Sequence, residues 1–118
     1  MHVLICDDEP AIRLLYRSAF EVEGVDVTVA ADGDEAIAQA LLGHPDLIIL
    51  DIRMPRRDGL STLAELRRCS PTSRVLLVTA EPSVEYFMRG RDLGAHDCVD
   101  KMEFLGRIPS LVSGQLAS

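Results

Sequence analysis

Five side chains that could do chemistry each directly follow or end a short apolar or strand-like run of the sequence. They are Asp7, Asp8, Asp51, Thr79 and Lys101. Short apolar runs separated by helix-length segments predict buried parallel strands. Ligands bind outside the carboxyl ends of such strands, so we expect three carboxylates, a hydroxyl and an ammonium at one rim of one sheet. This set favours oxygen-ligand metal chemistry acting on an anionic group.

The three carboxylates predict a divalent cation. Two like charges ~4 Å apart repel by about 4 kcal/mol at an effective dielectric near 20, so such a cluster takes up protons or binds a cation. An all-oxygen set with positions left for water favours Mg²⁺, with Mn²⁺ able to substitute. Zinc is disfavoured because the cysteines and histidines lack ligand spacing; they are Cys6, Cys69, Cys98, His2, His44 and His96.

A cation at the rim, the Lys101 ammonium and the Thr79 hydroxyl would together form a cradle for phosphoryl oxygens. One carboxylate would then act as nucleophile, as in enzymes that pass through an aspartyl phosphate. Asp51 is the best candidate because the most apolar run, at 47–50, delivers it between the outer groups. The alternative for any single aspartate at a strand end is a turn former, which explains the five residues together poorly.

The remaining pattern predicts five βα units with helices on both faces of the sheet. Strands are predicted at 2–6, 25–30, 47–50, 75–79 and 97–99. Helices are predicted from Pro10 to Gly24, around Ala36 to Gly43, around Leu60 to Leu66, and from Ser83 to near Gly94. Asp51–Gly59 is predicted to be a loop. In the tail, Pro109 predicts a break between a helical turn at Glu103–Arg107 and a short helix starting at Pro109.

Composition restricts the class of protein. A chain of 118 residues with 47% hydrophobic content fits one domain. Its net charge of −7 argues against direct nucleic-acid binding. The sequence shows neither a membrane-spanning stretch nor a secretory signal, so we expect a cytoplasmic protein without membrane contact. The three cysteines are expected to be free thiols, with redox sensing at Cys69 as the alternative.

Five short motifs carry a resemblance to a known family. They are 6–10 (Cys-Asp-Asp-Glu-Pro), 51–55 (Asp-Ile-Arg-Met-Pro) with 58–59 (Asp-Gly), 78–80 (Val-Thr-Ala), 94–95 (Gly-Ala) and 99–101 (Val-Asp-Lys). In this order and at these separations, the chain resembles the receiver domain of two-component response regulators from residue 1 to about 116. The resemblance implies an α/β, flavodoxin-like, doubly wound sheet of five parallel strands in the order 2-1-3-4-5, flanked by about five helices. It also implies one receiver domain over 1–118.

The resemblance further implies that Asp51 accepts a phosphoryl group from a phosphohistidine on a sensor kinase or phosphotransfer protein. Mg²⁺ would be bound directly by Asp8 and Asp51, through water by Asp7, and by the main-chain carbonyl of Arg53. Such a domain is not a classical enzyme, although it assists its own phosphorylation and dephosphorylation.

By the same resemblance, Thr79 would bind a phosphoryl oxygen and shift on activation, and Lys101 would neutralise another oxygen. Ala80, being small, would leave space for the group. The switch would regulate an output domain or partner protein, with a phosphorylation-dependent homodimer as a further expectation. The kinase would dock near Ala11, Ile12 and Leu15.

Four positions depart from the family pattern or are expected to modulate the site. Cys98 stands where the family usually has an inward-turning aromatic residue, and Tyr86 or Phe104 are the alternatives for that role. Met102 replaces the usual cis-proline, so we predict a trans Lys101–Met102 bond. Arg53 and Glu81 are expected to pair across the mouth of the site and slow hydrolysis, or else to be two solvated side chains.

Rival functions remain at this point. A receiver-like interaction module that is never phosphorylated is the main alternative. A flavin-binding protein would need a polar, glycine-rich loop after the first strand, where this chain is acidic. A phosphatase of the haloacid dehalogenase type would need an acid at position 53, which is arginine. The chain is compatible with a stand-alone regulator, a fragment of a longer protein, or a receiver from a hybrid kinase.

Overall fold

The computed structural model describes residues 1–54 and 57–117, which form one five-stranded parallel sheet with helices on both faces. The strands are β1 (His2–Cys6), β2 (Asp26–Ala30), β3 (Leu47–Asp51), β4 (Arg74–Thr79) and β5 (Asp97–Asp100). The helices are α1 (Pro10–Val22), α2 (Gly33–Gly43), α3 (Gly59–Cys69), α4 (Val84–Asp92) and α5 (Lys101–Ala117). The strand order β2-β1-β3-β4-β5 confirms the predicted fold class.

Two apolar layers pack against the sheet, one on each face. One layer joins the sheet to α2, α3 and α4, and the other joins it to α1 and α5. Side chains of β1 alternate between them, since Leu4 faces the first layer and Val3 the second. All five residues of β3 are buried, because this central strand is covered on both faces.

The register of the sheet brings the ends of its strands to one rim. Cys6 of β1 pairs with Leu50 of β3, so the residues that follow both strands emerge side by side. Thr79, the last residue of β4, pairs with Asp100 at the end of β5. The four strands that carry the chemical residues therefore finish at the same level.

The loop after β3 closes tightly beneath the rim. The Gly59 amide donates to the Ile52 carbonyl at 2.7 Å. A Cβ on Gly59 would lie 2.5 Å from the Asp51 carbonyl oxygen, so only glycine fits this close approach. Asp58 caps α3 by accepting from the Ser61 amide. The predicted loop is thus observed at these positions, and its residues Pro55 and Arg56 lie outside the described part of the chain.

The prediction of a broken tail was wrong. Helix α5 runs without interruption through Pro109 to Ala117. Phe104, Ile108 and Val112 recur every four residues and are all buried in the layer shared with α1. Pro109 itself is exposed. The stabilisation from this buried stripe outweighs the one helical hydrogen bond that the exposed proline removes.

Within residues 1–54 and 57–117, no helix is long and apolar enough to span a bilayer.

Candidate functional site

Three carboxylates converge where β1 and β3 end. Asp7, Asp8 and Asp51 each offer an oxygen, and these oxygens all lie within 4.8 Å of one another. Asp7 and Asp51 are only 1% and 3% exposed, whereas Asp8 faces solvent. Buried carboxylates this close repel strongly, so the cluster requires a cationic partner.

Lys101, the first residue of α5, supplies one cation. Its Nζ lies 2.8 Å from Asp7 Oδ2, 3.1 Å from Asp51 Oδ2 and 3.5 Å from Glu9 Oε1. Burial alone would lower the pKa of this ammonium, but its interactions with Asp7 and Asp51 outweigh burial and raise the pKa. Lys101 therefore stays charged, and one ammonium is shared among three carboxylates.

The carboxylate of Asp51 is held by two donors of different kinds. Its Oδ1 accepts from the Arg53 amide at 3.2 Å, and its Oδ2 accepts from Lys101. Burial, followed by the neighbouring charge of Asp7, raises the pKa of Asp51 to about 6 against the opposing effect of Lys101. Without a metal ion, the site therefore carries more negative charge than the single positive charge of Lys101 can balance.

This imbalance predicts an unusual pH dependence in metal-free protein. The Asp51 pKa of about 6 lies above its unfolded value of about 3.9, so the folded state binds more protons between these values. Stability should be greatest below the unfolded pKa and fall by about 3 kcal/mol as pH rises through the folded pKa. Urea unfolding with EDTA across this range measures the effect.

The matched control for this titration is Asp51→Asn, which keeps the shape of the side chain and removes its charge. The fall in stability between about pH 4 and about pH 6 should be absent from this variant. Identical pH profiles for the two proteins would show that Asp51 titrates normally.

The same residues fit a hard divalent cation. Asp7 Oδ2 is buried and close to Lys101, yet it makes no hydrogen bond of acceptable geometry within the described chain. A buried carboxylate oxygen without such a bond is costly. The cluster contains oxygen ligands only, and its Asp8 is open to solvent, which leaves room for water as Mg²⁺ requires.

The predicted hydroxyl and its neighbours lie on the adjacent strand end. Thr79 is buried, and its Oγ1 accepts from the Glu81 amide at 3.1 Å. Ala80 is exposed. Across the mouth, the Arg53 guanidinium donates to Glu81 Oε2 at 2.7 Å, and both side chains are more than half exposed. The predicted pairing of Arg53 with Glu81 is therefore observed, whereas its effect on hydrolysis stays a prediction.

A cavity of about 510 Å³ opens beside the acids between the β3–α3 loop and α4. It is lined by Asp8, Ile52, Arg53, Met54, Asp58, Leu60, Tyr86 and Arg89. Of the two aromatic alternatives considered for Cys98, Tyr86 borders this cavity. Phe104 is instead 1% exposed in the α1–α5 layer, where its ring packs edge-on against Tyr16. Phe104 is therefore a core residue, and Tyr86 is the aromatic residue placed near the site.

The next two features are the peptide bond after Lys101 and the residue at position 98, where the sequence departs from the family pattern. No peptide bond among the described residues is cis, so the Lys101–Met102 bond is trans as predicted. Cys98 is half-buried on β5 and packs against the layer formed with α2, α3 and α4. Both departures place small or flexible side chains where an aromatic ring and a proline were expected.

Four residues at this site were missed by the sequence analysis. Glu9 approaches the Lys101 ammonium, and the Arg13 guanidinium donates to the Asp7 carbonyl at 2.8 Å. The Tyr16 hydroxyl donates to the Lys101 carbonyl, and Asp100 accepts from the Met102 amide. Glu9 and Asp100 could have been considered as polar residues directly beside motif residues. The Tyr16 contact had no local signal, because Tyr16 and Lys101 are 85 positions apart.

The helix expected to dock a partner presents an apolar surface near the rim. Ala11 and Leu15 of α1 are exposed, and Ile12 is half-buried in the α1–α5 layer. The neighbouring Leu14 adds a side chain that is 66% exposed. This surface is a location for the predicted docking, which stays a prediction.

Comparisons with known proteins agree on one family. Residues 3–112 match the family described as "Response regulator receiver domain". The transcriptional regulatory protein TrcR of Mycobacterium tuberculosis is 39% identical over 116 residues, which cover 98% of this chain and 45% of that protein. The response regulator MprA of Mycobacterium leprae is 36% identical over 116 residues, which cover 95% of this chain and 51% of that protein.

Two solved structures show the same fold. The Francisella response regulator 1452 receiver domain has a TM-score of 0.82 at 31% identity, with 97% of this chain and 98% of that chain covered. A CheY-like receiver domain protein from Methanospirillum hungatei has a TM-score of 0.85 at 25% identity, with 98% and 96% covered. This chain spans about half the length of the curated relatives TrcR and MprA.

Proposed function

Because this chain belongs to the response regulator receiver domain family of two-component systems, we propose that it is phosphorylated on Asp51. The donor would be a phosphohistidine of a sensor histidine kinase or a histidine phosphotransfer protein. The observation that supports the proposal most strongly is the burial of Asp51 against both Asp7 and the Lys101 ammonium. That environment fixes the carboxylate and places beside it an ammonium that can neutralise a phosphoryl oxygen.

In the proposed reaction, a carboxylate oxygen of Asp51 attacks phosphorus. A P–O bond forms as the P–N bond to the donor imidazole breaks; the electron pair of that bond stays on the imidazole nitrogen, which takes up a proton from water. Lys101 then neutralises one phosphoryl oxygen and the Thr79 hydroxyl donates to another. Ala80 leaves space beside Thr79 for the incoming group.

We propose Asp7, Asp8, Asp51 and the Arg53 carbonyl as the residues that hold Mg²⁺, with Mn²⁺ able to replace it. The cation supplies electrostatic stabilisation of the negative charge shared by the carboxylates and the transferred group. Its binding would also add a second positive charge near the buried Asp7 Oδ2, which lies 2.8 Å from the Lys101 ammonium. The solvent exposure of Asp8 suits the hydrated coordination that Mg²⁺ prefers.

The product would be an acyl phosphate whose charge shifts a two-state equilibrium. The chain would therefore be a phosphoryl acceptor that promotes its own modification and hydrolysis, and not a classical enzyme. We propose that residues 1–118 form one receiver domain that regulates an output domain or partner protein, with phosphorylation-dependent pairing of two copies as a further consequence. The docking surface for the donor would lie on α1. The three cysteines are free thiols, which is consistent with a cytoplasmic location.

The proposal is tested by incubating the chain with acetyl phosphate and measuring its intact mass. We expect one phosphoryl group per molecule in the presence of Mg²⁺, and no detectable incorporation in EDTA or in Asp51→Asn. An unmodified wild-type chain at saturating donor and Mg²⁺ would instead favour the alternative, an interaction module that acts without phosphorylation.

The Arg53–Glu81 ion pair leads to a prediction about the lifetime of the phosphoryl group. This 2.7 Å pair crosses the mouth of the site, so Glu81→Ala should admit water and shorten the lifetime by about threefold, in keeping with an exposed pair worth about 0–1 kcal/mol. The decay of purified phosphorylated protein measures it. Glu21→Ala breaks the exposed pair to Arg17 on α1 and is the matched control. Equal lifetimes for Glu81→Ala and wild type would exclude the idea.

A further inference from the structure

We propose that Tyr16 and Asp100 are positioning residues that hold the main chain of Lys101 so that its ammonium reaches the acceptor carboxylate. This inference rests on the proposed function, in which Lys101 neutralises a phosphoryl oxygen. A lysine side chain has four flexible carbon–carbon links, so its ammonium is placed accurately only if its main chain is fixed. The structure shows two separate attachments at that point.

The first attachment is the hydroxyl of Tyr16 on α1. It donates to the Lys101 carbonyl at 3.0 Å, although the two residues are 85 positions apart. The Tyr16 side chain is 1% exposed, and its ring packs edge-on against Phe104 of α5 with centroids 5.1 Å apart. The ring cannot pivot, so the hydroxyl fixes the start of α5 relative to α1. Burial raises the pKa of Tyr16 to about 12, which keeps the hydroxyl a donor near neutral pH.

The second attachment is the carboxylate of Asp100, which caps α5. Its Oδ1 accepts from the Met102 amide at 2.7 Å and from the Glu103 amide at 3.4 Å. Such a cap satisfies helix N–H groups that otherwise have no partner. A proline at position 102 would lack the amide that makes the shorter bond. The Asp100 cap and the non-proline residue 102 therefore belong together as one means of fixing the lysine.

The two attachments act on the two polar groups of one peptide bond, the Lys101 carbonyl and the Met102 amide. Asp100 precedes Lys101 and holds the amides after it, whereas Tyr16 holds its carbonyl from another helix. From this anchored position, Nζ lies 2.8 Å from Asp7 Oδ2 and 3.1 Å from Asp51 Oδ2. If either attachment is lost, the helix start can rotate and the ammonium can move away from the phosphoryl position, while the three carboxylates stay in place.

The test measures the rate of phosphorylation by acetyl phosphate at saturating Mg²⁺, together with thermal unfolding. Tyr16→Phe removes only the hydroxyl, and Asp100→Ala removes only the cap. We expect each to slow phosphorylation by about tenfold, since small errors in position at a reacting centre can cost up to about 100-fold. Asp100→Asn, which retains the acceptor oxygen, should restore most of the rate.

Ser73→Ala is the matched control for Tyr16→Phe. Ser73 is a buried hydroxyl that donates to the Pro45 carbonyl at the opposite end of the sheet. Its loss should lower the unfolding temperature to a similar extent and leave the phosphorylation rate unchanged. A comparable loss of rate in Ser73→Ala would show that stability alone explains the effect, and would overturn the proposal.

A double-mutant cycle separates positioning from general loosening. If Tyr16 acts through the ammonium, Tyr16→Phe should have no further effect in a Lys101→Ala background. Equal fold losses in both backgrounds would overturn the inference, as would wild-type rates in both Tyr16→Phe and Asp100→Ala. If both variants are phosphorylated at the wild-type rate, only this inference fails. If wild type itself is not phosphorylated, the proposed function fails and the inference fails with it.

Discussion

Replacing Lys101 by methionine is expected to destabilise the metal-free protein by about 3 kcal/mol near neutral pH, because removal of one partner leaves buried charges unpaired. The two acids nearest the ammonium, Asp7 and Asp51, are almost fully buried. Saturating Mg²⁺ should restore most of the loss, since a cation bound by the same carboxylates replaces the missing charge. Urea unfolding in EDTA and in Mg²⁺ measures both effects.

The matched control for this substitution is Arg17→Met. Arg17 pairs with Glu21 on the exposed surface of α1, and such a pair is worth about 0–1 kcal/mol. Its loss should be small and independent of Mg²⁺. If Lys101→Met cost no more than this control, or if Mg²⁺ did not reduce the cost, the acids would not form the coupled cluster described above.

Substitution of Asp8 by asparagine is expected to weaken Mg²⁺ binding by about 100-fold or more, since even an outer-shell partner of a metal is worth about 10–100-fold. Asp8 is the solvent-facing member of the cluster and makes no contact with Lys101 among the described ion pairs. Its charge is therefore available to a cation. Isothermal titration with MgCl₂ gives the affinity, and phosphorylation at limiting Mg²⁺ should fall in proportion.

Asp34→Asn is the control for the loss of one negative charge. Asp34 lies on α2 with its side chain 72% exposed; it pairs with Arg57 at 3.5 Å and is not a member of the carboxylate cluster. This variant should bind Mg²⁺ as wild type does. Equal Mg²⁺ affinities for Asp8→Asn and Asp34→Asn would place the cation elsewhere.

The sheet and the carboxylate cluster could be predicted because their signals are local. Continuous apolar runs identify strands buried on both faces, and the first polar residue after each run marks the rim. Leu47–Asp51 shows this most clearly, since all five residues are buried and its last residue is the candidate acceptor. Pro10, Gly24 and Gly43 marked helix ends within one or two residues.

What failed or was missed depends on contacts distant in sequence. Pro109 predicts a break by local rules, but the buried stripe of Phe104, Ile108 and Val112 keeps the helix intact. The contact of Tyr16 with the Lys101 carbonyl joins two helices far apart in the chain, and no residue near Tyr16 in the sequence predicts it. Likewise, the pKa of Asp51 depends on burial and on Asp7, which only the folded chain brings together.

The central claim is that the carboxylate of Asp51 accepts a phosphoryl group and becomes an acyl phosphate. Borohydride reduction of an acyl phosphate converts the modified aspartate to homoserine, which peptide mass spectrometry can locate. After incubation with acetyl phosphate and Mg²⁺, we expect homoserine at position 51 and at no other aspartate. Homoserine at Asp7 or Asp8, or phosphate that survives the reduction on another side chain, would contradict the account.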